Sequence, residues 1–324
     1  METILELQDY SVTYINQNND KKVHAVKDAN FKINKGDSLG IVGESGSGKS
    51  TMAMALLRLL SPKSVEISGS ANFIGNELTI LPEEELKKIR WKELAVVFQK
   101  SMNALSPVHR IGNQIEDIYR VHNPQATKKE VFERVKILFE MVNLSDRVYH
   151  LYPHELSGGM LQRVAIALSL IHSPKLLILD EATTALDVVT QGQILDEIEK
   201  MEKTMDMTRI MITHDMSVVA ASCNKVAVMY AGEFMEIGLV KDVLKYPKHP
   251  YTKGLLSAFP SLTDTRAKLT AIKGFLPDLS AKQTGCIFAP RCEYAMDICK
   301  SERPKSVFMK DGTQVRCHLC KEGD

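Results

Sequence analysis

The sequence predicts an α/β fold: a mixed, largely parallel sheet wrapped by helices, with antiparallel strands at the N-terminus and a small cysteine-bearing C-terminal extension. Three observations carry this prediction. Short apolar strands alternate with helical segments, a glycine-rich loop sits at a strand-to-helix turn, and the composition shifts towards proline and cysteine after Tyr230.

In chain order, Ile4 to Tyr14 and Val23 to Ile33 read as antiparallel strands joined by a polar loop, Asn16 to Lys22. Ser38 to Val42 follows as a strand, with Leu39 to Val42 apolar enough to be buried, and Thr51 to Leu60 reads as a helix. Further strands are expected at Leu94 to Phe98, Leu176 to Leu179, Arg209 to Ile212 and Val226 to Tyr230. Between Ser101 and Leu170 the pattern is mostly helical. Val131, Val135, Leu138, Phe139 and Val142 fall on one helical face, which is most simply a packing stripe. Beyond Tyr230, Pro247, Pro250, Pro260, Pro277, Pro290 and Pro304 punctuate a loop-rich tail.

At 324 residues the chain exceeds the usual size of one domain, so a large domain with a smaller partner is expected. The formal net charge of +1 supplies no global field for nucleic acid. Met1 to Glu6 lacks the basic start and apolar core of a signal peptide, and runs such as Val164 to Ile171 are too short to cross a bilayer. A cytosolic chain is expected, with any membrane role exerted through partners. Of the six cysteines, Cys286, Cys292, Cys299, Cys317 and Cys320 crowd the tail while Cys223 stands alone as a small buried residue. In a reducing compartment this crowding favours metal over disulfides.

Gly43-Glu44-Ser45-Gly46-Ser47-Gly48-Lys49-Ser50-Thr51 is a phosphate cradle. Its glycines let backbone N–H groups turn inward, Lys49 reaches the β and γ phosphates, and Ser50 offers a hydroxyl to Mg²⁺. The following helix presents its positive N-terminus to the same anion. Gly46-Ser47-Gly48 lacks the third glycine that a dinucleotide site requires, so ATP is the expected ligand. Leu176 to Leu179 ends in Asp180 and Glu181, which suit the Mg²⁺ shell and the polarisation of an attacking water. Leu156-Ser157-Gly158-Gly159-Met160-Leu161-Gln162 combines an N-cap serine with two glycines at a helix start, a second anion-contacting arrangement.

With that segment the chain resembles the ATP-binding subunits of ABC transporters, and the resemblance implies a P-loop ABC ATPase domain with antiparallel β and α-helical subdomains. It assigns residues 1–238 to the nucleotide-binding domain, 100–170 to the helical subdomain and 239–324 to the extension. It also implies that Ser157, Gly158, Gly159 and Gln162 close over ATP bound by a partner chain, in a head-to-tail dimer. Other positions map singly: Gln99 to a Mg²⁺ contact that relays nucleotide state, Thr184-Ala185-Leu186-Asp187 to a loop crossing the dimer interface, His214 to a γ-phosphate switch and Tyr14 to adenine stacking. Read alone, Gln99 is a surface polar residue, Tyr14 a packed strand tyrosine and His214 a structural histidine. Met160, Leu161 and Ala182 depart from the common family pattern, while Glu181 and His214 keep the chain competent for hydrolysis.

Tyr246-Pro247-Lys248-His249-Pro250-Tyr251-Thr252, continuing through Leu255-Leu256 to Pro260-Ser261-Leu262, resembles the segment after this domain in dipeptide, oligopeptide and nickel importers, favouring a D-type subunit. Gly285-Cys286-Ile287-Phe288-Ala289-Pro290-Arg291-Cys292, then Cys299 and Val315-Arg316-Cys317, resemble the end of the same subunits, which in some members holds an iron–sulfur cluster. The four thiols are separated by five, six and seventeen residues, a spacing open to a [4Fe–4S] cluster, to zinc or to reduced thiols, with Cys320 left over. The implied assembly is an ATPase on the cytosolic face of the membrane. It pairs with a second ATP-binding subunit, docks on two transmembrane permease subunits and is served indirectly by an extracytoplasmic substrate-binding protein. Peptide import is the expected role; a nickel-complex or oligosaccharide importer, a soluble iron–sulfur assembly ATPase and a nucleotide-dependent binding module without turnover are the alternatives.

Overall fold

The computed structural model describes residues 2–16, 21–99, 101, 104–184, 186–258, 272–281 and 283–324. The middle of the expected polar loop (17–20), Ala185 and the stretch 260–262 lie outside the described residues. The elements begin with β1 (Thr3–Ile15), β2 (Lys22–Asn34), β3 (Ser38–Val42), α1 (Lys49–Leu56), β4 (Val65–Phe73), β5 (Asn76–Glu77), α2 (Glu83–Ile89) and β6 (Leu94–Val97). There follow α3 (Ile111–His122), α4 (Lys128–Met141), α5 (Gly158–Ser169), β7 (Leu176–Asp180), α6 (Val188–Met205), β8 (Thr208–Thr213) and α7 (Met216–Ser222). The chain ends with β9 (Lys225–Tyr230), β10 (Glu233–Leu239), α8 (Val240–Lys245), α9 (Pro250–Ser257), α10 (Asp297–Ser301), β11 (Ser306–Phe308) and β12 (Gln314–Arg316).

Two compact units divide the chain. One comprises Met1–Ile4, Asn34–Gly36 and Ile80–Ile210; the other comprises Leu5–Ile33, Asp37–Thr79 and Met211–Asp324. In the first unit β6 and β7 pair in parallel, from Leu94↔Leu176 to Val97↔Leu179, and every residue of β7 is buried. Burial on both faces is why β7 reads as an unbroken apolar run. Helix α4 starts at a capping box, in which Glu130 N donates to Thr127 Oγ1 at 3.3 Å and Thr127 N donates to the Glu130 carboxylate at 2.7 Å. Val131, Val135, Leu138, Phe139 and Val142 are all buried, as their spacing requires.

The second unit holds a four-stranded antiparallel arrangement in the order β2-β1-β4-β5 among the described residues. It also holds a mixed set in which β3 runs parallel to β9, β9 antiparallel to β10, and the tail strands extend it through β10, β12 and β11. The expected strands at 4–14, 23–33, 38–42 and 226–230 are present. Helix α1, expected at 51–60, starts earlier at Lys49 and stops at Leu56, because Gly48 opens it with φ 103° and Arg58 leaves it in the left-handed region at φ 49°. β4 and β10 were not expected from the sequence. The Ser68-Gly69-Ser70 centre of β4 lacks strand composition, yet Gly69 is needed there: a Cβ would lie 2.3 Å from Asp9 O, beside the bulge at Gln8/Ser11.

Gly112 of α3 marks a close helix contact within the first unit. A Cβ there would stand 2.4 Å from the Tyr149 ring, which is fixed by its hydroxyl donating to Glu116 at 2.7 Å and by an edge-on Phe132 at 5.0 Å. Gly112→Ala is therefore expected to lower unfolding free energy by about 1–3 kcal/mol through overpacking. Chemical denaturation of the full chain checks this, and an unchanged midpoint would refute it.

Candidate active site

In the second unit, the phosphate loop is shaped by close backbone approach. A Cβ on Gly43 would fall 2.0 Å from Met229 O, and one on Gly48 would fall 2.0 Å from Ala25 O. Only glycine fits at both ends of the turn. Gly232 N donates to Ser47 O at 2.9 Å, which pins the middle of the loop to the turn after β9. Ser47 and Lys49 are buried, and the Lys49 ammonium donates to Gly43 O at 2.8 Å, Glu44 O at 2.9 Å and Ser47 Oγ at 3.2 Å. These bonds hold the cation over the concave side of its own loop. Ser50 and Thr51 occupy the first turn of α1. Tyr14 on β1 is half-buried, with its hydroxyl 3.3 Å from Thr51 Oγ1. His214 is exposed just beyond the end of β8, and Asp215 caps α7 by accepting from Ser217 N at 2.8 Å.

Glu44 is gripped from the tail. Its backbone N–H donates to Tyr251 Oη at 3.1 Å, and its carboxylate accepts from Arg291 Nη1 at 3.0 Å on both oxygens. Burial opposes the charge on Arg291, but the bonds to Glu44 and Tyr230 outweigh it and hold the guanidinium more firmly protonated than usual. In the sequence Tyr251 and Arg291 stand out only as parts of motifs. Their link to Glu44 spans 207 and 247 positions and leaves no local signal.

In the first unit, Asp180 is buried at the end of β7 and Glu181 follows it in the left-handed region at φ 48°. A non-glycine residue there is strained, and the strain is held by Thr184, whose hydroxyl donates to Glu181 O at 2.9 Å. Gln99, two residues past β6, donates its amide to Glu181 Oε2 at 2.8 Å. Both residues stand out in the sequence, and the parallel β6–β7 pair brings them together. Ser157 caps α5 by accepting from Met160 N at 3.3 Å, and Ser157 and Gly158 are exposed. Gln162 is buried, on the inward face of that helix. Asp187 caps α6, accepting from both Thr190 N at 3.0 Å and Thr190 Oγ1 at 2.7 Å, and these bonds lower its carboxyl pKa.

The tail cysteines occupy one small region of the second unit. Cys286 N donates to Cys299 O at 2.8 Å, and Gly285 must be glycine because a Cβ would meet that same carbonyl at 2.3 Å. Burial, reinforced by Cys299 and Cys317, pushes the Cys286 thiol up to about 11. Cys317 is raised first by its hydrogen bond to Cys320 and then by burial. The donor chemistry suits a soft metal, but among the described residues no three His, Cys, Asp or Glu side chains form a metal-holding group. No helix among the described residues is long and apolar enough to cross a membrane.

Residues 26–184 match the ABC transporter family model, and residues 235–299 match the model for the oligopeptide/dipeptide transporter C-terminal region. The oligopeptide transport ATP-binding protein OppD of Salmonella typhimurium is 44% identical over 94% of this chain and 90% of its own length. The dipeptide transport ATP-binding protein DppD of Caldanaerobacter subterraneus is 39% identical over 100% of this chain and 99% of its own. A dimeric structure of the ATP-binding cassette MJ0796, bound to ADP and Pi, superposes with a TM-score of 0.65 at 28% identity, covering 73% of this chain and 99% of that one. A phosphate loop, a strand-end carboxylate pair and a serine-capped glycine helix start thus occur within relatedness that runs through the tail, and the chain belongs to the ATP-binding proteins of oligopeptide and dipeptide ABC transporters.

Proposed function

We propose that this chain is the ATP-hydrolysing subunit that energises peptide import through a membrane ABC transporter. The observation that carries the hydrolytic part is Glu181, strained at the end of β7 and joined to the Gln99 amide at 2.8 Å. A carboxylate held at one orientation is what polarising a water demands. The peptide role is supported by the kinship with oligopeptide and dipeptide transport subunits, which also disfavours the nickel, oligosaccharide and soluble iron–sulfur assembly readings.

In this reading Gly43 to Thr51 cradle the triphosphate, Lys49 neutralises its β and γ oxygens, Tyr14 stacks on adenine and His214 senses the γ-phosphate. Ser50, Gln99 and Asp180 supply the oxygen donors for Mg²⁺, which offsets charge on the phosphates when bound. Asp180 fits that task as a buried carboxylate at a strand end. Ser157, Gly158 and Gly159 cap ATP on a partner, and the exposure of Ser157 and Gly158 is consistent with that. Gln162 belongs to the same partner-facing segment, with its own side chain buried in this chain. The partner is a second, D-type-complementary ATP-binding subunit, with two permease subunits at the cytosolic membrane face and an extracytoplasmic binding protein delivering cargo. Residues 1–238 form the nucleotide-binding domain and 239–324 the cysteine-bearing extension. Within it Cys286, Cys292, Cys299 and Cys317 are the ligands for a [4Fe–4S] cluster, a reading supported by their thiol character and shared neighbourhood. It requires the thiols to converge, and no step of hydrolysis runs through it.

Glu181→Gln in the assembled complex is expected to lower steady-state hydrolysis about 100-fold or more, the scale of a lost general base. ATP should then hold the subunits in a stable closed pair visible by size-exclusion chromatography. Unchanged turnover would remove Glu181 from its role. Elemental analysis of anaerobically purified complex is expected to find iron with acid-labile sulfide; stoichiometric zinc without iron would reject the cluster.

A further inference from the structure

Glu44 is held on three sides by the second unit. Its N–H is bound by Tyr251, its carbonyl oxygen receives Lys49 Nζ at 2.9 Å, and its carboxylate is bound by Arg291. The grip is built rather than casual. Tyr251 is fully buried, and the Arg291 side chain is 6% exposed against 29% for Glu44. Every arm of the guanidinium is engaged: Nε donates to Lys273 O at 2.9 Å, Nη2 to Ile272 O at 3.1 Å, and its carbon lies 5.5 Å from the Tyr230 ring centre. Tyr230, Tyr251 and Phe288 pack together at 4.7 to 5.3 Å, and Val42, the residue just before the phosphate loop, lies in the same core cluster as all three. Leu276 stands 3.6 Å from where a Cβ on Gly46 would be, so the tail also approaches the loop's exposed middle.

We propose that the C-terminal extension clamps the phosphate loop through Glu44, with Arg291 and Tyr251 as positioning residues for ATP. Two physical effects follow. The loop's N–H groups are pre-set toward the phosphates, which reduces the ordering cost of binding. Arg291 also neutralises a carboxylate that would otherwise repel a polyanion beside it. A guanidinium whose Nε and Nη2 are tied to backbone carbonyls holds Nη1 on the carboxylate, so it fixes direction as well as sign. The inference rests on the assignment of Gly43 to Thr51 as the phosphate cradle.

The test is calorimetric titration of the full chain with MgATP, alongside KM and kcat of the assembled ATPase. Arg291→Gln is expected to weaken ATP binding about tenfold, and to raise KM similarly with little change in kcat, because a charge-assisted bond that orders the ground-state site is lost. Adding Glu44→Gln to that variant should restore most of the affinity by removing the stranded carboxylate. Tyr251→Phe, which keeps the ring and drops one hydrogen bond, should weaken binding about threefold. Wild-type affinity in Arg291→Gln, or a fall in melting temperature with no rescue by Glu44→Gln, would overturn the clamp. If Arg291→Gln does not fold, Tyr251→Phe decides, and unaltered affinity there overturns it. Lys49→Ala separates the two levels: wild-type ATP binding in that variant refutes the cradle assignment itself, and the clamp with it.

Discussion

The phosphate loop depends on two places where backbone meets backbone with no side chain between. Gly43 lies against Met229 O and Gly48 against Ala25 O, each so closely that a Cβ would fall at 2.0 Å. These contacts seat the loop against Ala25 of β2 and Met229 of β9. The pairing of β3 with β9, from Leu39↔Lys225 to Val42↔Val228, sets where the loop leaves the sheet. Buried parallel strands tolerate little slippage, since a one-residue shift would reverse every side chain. The loop's shape is therefore a consequence of strand register as much as of its own glycines.

Much of this was legible in the residues. β7 announces itself because burial on both faces permits only apolar side chains, and the α4 stripe because a helix with one buried face repeats its apolar residues at helical spacing. The glycine-rich turn, the carboxylates at the end of β7 and the Ser157 cap were legible as local structure because each restricts residue type within a few positions. What was not legible depends on distant partners. β4 forms despite Ser68-Gly69-Ser70 because β1 offers a long antiparallel edge and a bulge that only glycine can face. The start of α1 at Lys49 follows from the conformation of Gly48, which an apolar pattern does not encode.

Glu181 shows how a strained backbone aims a side chain. Its left-handed backbone costs on the order of 1–3 kcal/mol, a cost sustained by the Thr184 hydroxyl and by the fully buried strand before it. A relaxed turn at this point would carry the carboxylate elsewhere. The Gln99 amide reaches it only because β6 and β7 end at matching heights, with Val97 opposite Leu179. Here the geometry of two adjacent strands places a polar pair that no contiguous stretch of sequence contains.

The tail follows the same logic in the second unit. Glu233 is buried among cations: Arg303 Nε lies 3.0 Å from both of its carboxylate oxygens, with Arg316 and Lys27 near 4 Å. Glu236 is fully buried and accepts from Lys248 N and His249 N at 2.8 and 2.9 Å, which fixes the approach to α9 and hence the position of Tyr251. A buried carboxylate survives only when its partners are in place, so these contacts form together or not at all. The residues that order the start of α9 thus also carry Tyr251 to Glu44. A chain truncated after β10 would retain Gly43 to Thr51 and lack both groups that hold Glu44, Tyr251 and Arg291.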